Sequence, residues 1–180
     1  LGDLKYPRAI YTLWTEAERN AIGIYTVEYD NSNKKDEKWY INTDQSYAFA
    51  NSKVTATYGT ATAKAHADTL YTQEDEDNGL GTKDDVKVKG LKTILIAEIK
   101  SQAANELART DWYITRNAEK STAIPSAITT HRDLVRSRQA AMETSITNAS
   151  DTPALETLYT YTTDSDGVTS RPLALIPTLD

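Results

Sequence analysis

The run Asp84-Asp85-Val86-Lys87-Val88-Lys89-Gly90-Leu91-Lys92-Thr93-Ile94-Leu95-Ile96-Ala97-Glu98-Ile99-Lys100-Ser101-Gln102-Ala103-Ala104-Asn105-Glu106-Leu107-Ala108 decides the second half of the chain. Val88, Leu91, Leu95, Ile99, Ala103 and Leu107 recur at spacings of three and four, and Ile94 and Ile96 widen the stripe. That is one apolar face of an amphipathic helix. Asp84 and Asp85 sit where carboxylates meet the positive end of a helix dipole. The spacing predicts a helix over residues 84–108, about 37 Å long at 1.5 Å per residue. Gly90 weakens its early turns by about 1 kcal/mol relative to Ala.

Downstream, Thr110-Asp111 restarts a turn and Trp112-Tyr113-Ile114 forms a dense apolar anchor. Ile124-Pro125-Ser126 opens a second long helix, over residues 126–149, since Pro suits a helix entry. Ile128, His131, Val135, Met142 and Ile146 share one of its faces, which Arg138 interrupts. The two helices are expected to fold back as an antiparallel hairpin, with Trp112 beside Tyr113 packing them together. Asp151-Thr152-Pro153 starts a last short helix carrying Leu155, Leu158 and Tyr159, and Asp166-Gly167, Pro172 and Pro177 make the tail a turn plus an extended arm. Two helices alone bury little, so a third layer is needed, from the first half of the chain or from further copies. The near-heptad spacing permits self-association.

The first half, residues 1–82, reads as short strands with one short helix. Thr15 and Glu18 form a capping box for a helix over 15–21 that stops at Gly23. Residues 24–29 alternate as a strand, and Trp39-Tyr40-Ile41 begins another, which suggests a hairpin with a long polar loop. Gln45 to Phe49 and Lys53 to Tyr58 form a second hairpin around Asn51-Ser52. The Ala-rich run 61–71 suggests a short helix, and Glu74 to Gly81 breaks regular structure. The expected class is therefore α+β: a β-rich part over 1–82, a helical hairpin over 83–161, and an arm over 162–180. Charge shifts at the first boundary, from 8 basic and 13 acidic residues to 12 and 13.

The chain has 180 residues, a net charge of -6 and 39% hydrophobic residues, so the core is thin, the fold extended, or a partner completes it. The 26 threonines and 11 tyrosines, against one phenylalanine, suit a pleated surface with one wet face. Without cysteine, disulfides, zinc ribbons, thiol catalysis and iron–sulfur clusters are excluded. No apolar run approaches the length that spans a membrane, and the acidic balance argues against nucleic acid. The chain begins at Leu1 rather than Met, so upstream processing or trimming is expected.

Catalytic equipment is not evident. His66 and His131 have no second His or carboxylate at ligand spacing, and no Gly-x-Ser-x-Gly or phosphate loop occurs. An EF-hand register from Asp75 fails, because Gly79 falls at position 5 and Leu80 at 6. No cofactor, metal or enzymatic activity is expected. The candidate packing and interface residues are Trp14, Trp39, Trp112, Tyr113, Leu91, Leu95, Ile99, Val135, Met142, Ile146, Arg132 and Arg136. The tryptophans read as anchors more readily than as sugar platforms. Arg132, Arg136 and Arg138 read as a solvated face with ion pairs, or as partners for another subunit's carboxylates.

Thr110-Asp111-Trp112-Tyr113, then Arg116, Ile124-Pro125 and a helix with Arg132 and Arg136, resembles the C-terminal region of tail-fibre-assembly and tail-associated proteins of tailed bacteriophages. Trp14-Thr15 through Ala17-Glu18-Arg19 to Ile22-Gly23-Ile24 is similar to the N-terminal piece often joined to it. The resemblance implies a virion protein of the tail, baseplate or fibre that contacts other tail or fibre proteins, located in the particle and in host cytoplasm during assembly. Alternatives are a transient fibre-assembly chaperone, a host-facing carbohydrate-binding module, and a head-decoration protein.

Overall fold

The computed structural model describes residues 5–179 and is α+β, with strands concentrated early and long helices late. It divides into two compact units, residues 1–63 and 64–180.

In the first unit, helix α1 (Ile10–Leu13) precedes α2 (Glu16–Ala21). The Thr15–Glu18 capping box closes α2 reciprocally, and Gly23 follows it in the left-handed region at φ 81°. Strands β1 (Val27–Asp30), β3 (Gln45–Ala50) and β4 (Lys53–Tyr58) form a sheet in the order β1-β4-β3. Asn51 and Ser52 both take positive φ, 51° and 60°, which gives the β3–β4 hairpin the tight twisted turn it needs. The expected hairpin over 24–41 does not form. β1 instead runs parallel to β4, pairing Val27 with Val54 and Asp30 with Thr57, and β2 (Tyr40–Ile41) pairs with β5 (Thr62–Ala63). The polar loop between β1 and β2 is long enough to let the chain leave the sheet. Its exit is fixed by Asn42, whose side chain bonds both backbone groups of Lys35 at 2.9 Å. Among the described residues of this unit, the buried apolar side chains are Ile10, Trp39 and Ala56.

In the second unit the Ala-rich run is not helical. Strand β6 (Thr69–Leu70) pairs with β7 (Val86–Val88), and the loop between them holds a short helix α3 (Gln73–Asp77) with its own Thr72–Asp75 capping box. Lys87 also bonds Asp75, and these contacts hold the Asp75 carboxyl down at about 2. Helix α4 (Leu91–Ala108) starts seven residues later than the spacing predicts. Val86 and Val88, β-branched and alternating, go to the strand. Gly90 is the helix N-cap, not a weak point inside the helix. A Cβ there would collide with the Ala67 carbonyl group. Asp68 accepts from the Gly90 N–H at 2.6 Å and from Thr93 Oγ1 at 2.9 Å, which holds its carboxyl below the ordinary value. Leu91 and Lys92 N–H donate to the Ala65 and His66 carbonyls at 3.0 Å. The open first turn of α4 is thus closed by residues 65–68. That is why the compact units part near 63 rather than near 82.

Helices α5 (Asp111–Lys120), α6 (Ser126–Asn148) and α7 (Thr152–Tyr159) follow, the last capped by Asp151. α4 and α6 are antiparallel neighbours: Lys92 reaches the Thr147 carbonyl, Lys100 meets Glu143, and Glu106 meets His131. Leu91, Leu95, Ile99 and Ala103 are buried against the face of Ile128, Val135, Met142 and Ile146 as expected. The C-terminal residues, expected as a turn plus an extended arm, pack back on their own unit. After the small hairpin β8 (Thr162–Thr163) and β9 (Thr169–Ser170), Leu173 is 1% exposed and its N–H donates to the Leu158 carbonyl at 2.9 Å. No helix among the described residues is long and apolar enough to cross a membrane.

Candidate interaction site

The residues that decide this site lie where α4 ends and α5 begins. α4 leaves its last carbonyls without helical partners, and a break at Arg109–Thr110 must satisfy them. Arg132, projecting from α6, does so. Its Nη1 donates to the Leu107 carbonyl at 2.8 Å and to Thr110 Oγ1 at 2.7 Å, and it pairs with Asp111 Oδ1 at 2.9 Å. Arg132 and Thr110 are buried. The expectation that Arg132 belongs to a solvated face or pairs with another subunit is corrected: it ties three successive elements of its own unit together. Arg136 stays outside, paired with Asp133 at 3.3 Å.

Thr110 is fixed inward, Asp111 pairs with Arg132 at the surface, and the next residues face outward. Trp112 is 51% exposed, so it does not pack the two long helices together. The helices meet through their aliphatic stripes. The Trp112 ring lies against Tyr113, with centroids 3.9 Å apart and planes 33° apart. The Arg116 guanidinium, one turn on, sits 4.8 Å from the Trp112 centroid and 5.7 Å from that of Tyr113. This is a cation–π stack on the surface of a helix. Arg116 Nε has no hydrogen-bond partner among the described residues. Ile114 is exposed on the same helix. The cluster can present a flat aromatic surface and a guanidinium to another macromolecule.

The other tryptophans are placed differently. Trp39 is 3% exposed, which removes it as a sugar platform. Trp14 is half-buried, meets the Tyr6 ring edge-on at 5.9 Å, and its carbonyl accepts from Arg19 at 2.5 Å.

Glu106 was not singled out by the sequence reading. It is buried on α4, three residues beyond Ala103, whereas Leu107, the next residue of the expected stripe, is only half-buried. The signal that could have found Glu106 is that 106 is the three-residue helical step from Ala103, as 107 is the four-residue step. Its carboxylate accepts from His131 Nε2 at 2.9 Å, from Arg109 Nη1 at 2.9 Å and from the Leu179 N–H at 2.8 Å. Arg109 Nη2 in turn donates to the Leu179 carbonyl at 3.0 Å. Burial pushes the Glu106 carboxyl up, but the bonds from Leu179, Arg109 and His131 outweigh it and hold it below its ordinary value. A cavity of about 430 Å³ opens beside this clasp, lined by Gln102, Asn105, Leu175 and Ile176 among others. Among the described residues no group of three or more His, Asp or Glu side chains is arranged to hold a metal ion.

Compared with protein-family models, with curated proteins and with solved structures, the chain gives no match.

Proposed function

We propose that this protein is a non-enzymatic component of a tailed-bacteriophage particle, an accessory of the tail, baseplate or fibre that works by docking onto another virion protein. The observation that carries the docking role is the outward Trp112–Tyr113–Arg116 stack, held rigid from behind by Arg132. Trp, Tyr and Arg are the residue types that dominate binding energy at protein interfaces. The phage assignment rests on the resemblance carried by Thr110-Asp111-Trp112-Tyr113, Arg116 and Ile124-Pro125. Within the motif Thr110 is the buried anchor, Asp111 pairs with Arg132 at the surface, and Trp112 is displayed over half-buried Tyr113.

Quantitative mass spectrometry of purified, salt-washed particles tests the reading. The expected result is a fixed copy number for the wild-type chain and a clear loss of incorporation for Trp112→Ala. Because Trp112 is exposed, that substitution should cost less than about 1 kcal/mol of stability. Absence of the wild-type chain from particles, together with abundance in infected-cell lysate, overturns the reading in favour of a transient assembly chaperone.

A further inference from the structure

The three-stranded sheet of the first unit has two unlike edges. By register, Val27, Tyr29, Tyr47, Phe49, Val54, Ala56 and Tyr58 share one face, and Glu28, Asp30, Lys53, Thr55 and Thr57 share the other. Edge strand β1 carries Glu28 and Asp30, with Glu28 bound by Lys53 at 2.5 Å. Charges of this kind are how sheets keep an edge from pairing with another chain. Edge strand β3, Gln45-Ser46-Tyr47-Ala48-Phe49-Ala50, has no charge, no proline and no bulge along its six-residue register with β4. Its side chains are open, Tyr47 at 65% and Phe49 at 59%, and among the described residues no hydrogen bond other than those to β4 reaches it.

We infer that β3 is a self-pairing edge, and that two copies of this chain join antiparallel through β3 about a two-fold axis at Ala48. A bare strand edge offers a row of backbone donors and acceptors, so its occupant must be another extended strand. A second β3 fits for two reasons. With Ala48 opposite Ala48, Tyr47 of each copy falls opposite Phe49 of the other, giving two aromatic cross-strand pairs. The uncharged strand also meets itself without like-charge repulsion. Pairing continues the sheet from three strands to six, and this helps a unit whose buried apolar residues are few. The charged β1 edges lie at the two outer ends, so growth stops at the dimer. The inference is carried by the first unit alone and stands or falls apart from the docking role given to α5.

The test is the mass of the full chain in solution at micromolar concentration, by sedimentation velocity. Wild type is expected at about 40 kDa, twice the 20.0 kDa of one chain. Ala48→Lys and Ala48→Glu each place two like charges opposite one another at the axis, about 5 Å apart, and each alone should run at half the wild-type mass. Mixing the two variants in equal amounts should restore the full dimer mass, which no folding defect could do. A wild-type chain that stays at the single-chain mass overturns the inference. So does a dimer that survives in both separate variants, or a mixture that fails to reassociate.

Discussion

Arg132 decides more of this molecule than any single apolar residue of the second unit. One guanidinium nitrogen serves the end of α4, the Thr110 hydroxyl and the Asp111 carboxylate. Removing one partner of a buried charge network usually costs 3–5 kcal/mol, roughly, but Asp111 is open to water and regains hydration. Arg132→Ala is therefore expected to lower stability by about 2–3 kcal/mol, measured by urea unfolding followed by far-UV circular dichroism. Arg132→Lys should recover only part of this, because the lysine stem is shorter and its ammonium more strongly hydrated, so it reaches the buried Leu107 carbonyl and Thr110 hydroxyl less well. A loss below about 1 kcal/mol would show that the junction holds without it. At this scale the sequence was a partial guide. Helical spacing placed Leu95, Ile99, Val135, Met142 and Ile146 in the core correctly. It could not place Arg132, because two of its acceptors, a carbonyl and a hydroxyl at a helix end, leave no trace in hydropathy. Trp112 misled for the opposite reason: its size argued for burial, whereas it lies on the open side of the junction that buried Thr110 anchors. Part of the threonine excess is also explained locally. Thr144 and Thr157 return their hydroxyls to carbonyls four residues back, so they sit in helices without needing strand pairing, and Thr160 does the same from the C-cap of α7.

Among the elements, the C-terminal segment gives the clearest pH prediction. Glu106 holds the Leu179 N–H, and its carboxyl lies below the ordinary value. A carboxyl depressed in the folded state stabilises above the unfolded value of about 4.3, and that contribution is lost as pH falls through the lowered folded value. Amide exchange of residues 175–179, corrected for intrinsic rates, should therefore show protection at neutral pH and release on acidification. Glu106→Gln should flatten that acid dependence. A segment equally protected at both ends of the range would mean that Leu173, and not the clasp, retains it. The segment was read as a turn plus an extended arm because prolines and a turn dominate its composition, while its retention depends on one leucine and on a carboxylate 73 positions away. Local signals served better elsewhere. The β3–β4 hairpin, the α2 capping box and the start of α7 all depend on residues within a few positions of one another, and all appear as expected. The partner of β1 could not be found that way, since parallel pairing brings together residues 27 apart.

At the scale of the whole molecule, the α+β class followed from where periodicity changes from two to three and four. The boundary did not, because charge shifts near residue 82 while packing changes at 63. The described residues of the first unit bury three apolar side chains, and those of the second bury eleven. Unequal cores predict unequal stability. Heating should give two transitions: an early one in tryptophan emission, dominated by buried Trp39, and a later one in helical circular dichroism from the second unit. A single coincident transition by both probes would show that the units unfold together. The depth of Leu173 also sets an order in time. It fills the second core but is made 110 residues after Ala63, about 6–22 s later at ordinary rates of synthesis. For that interval the nascent chain carries a finished first unit, with its bare β3 edge, ahead of a helical unit that cannot yet close. Neighbouring chains on one message thus present their pairing strands to each other before either is complete.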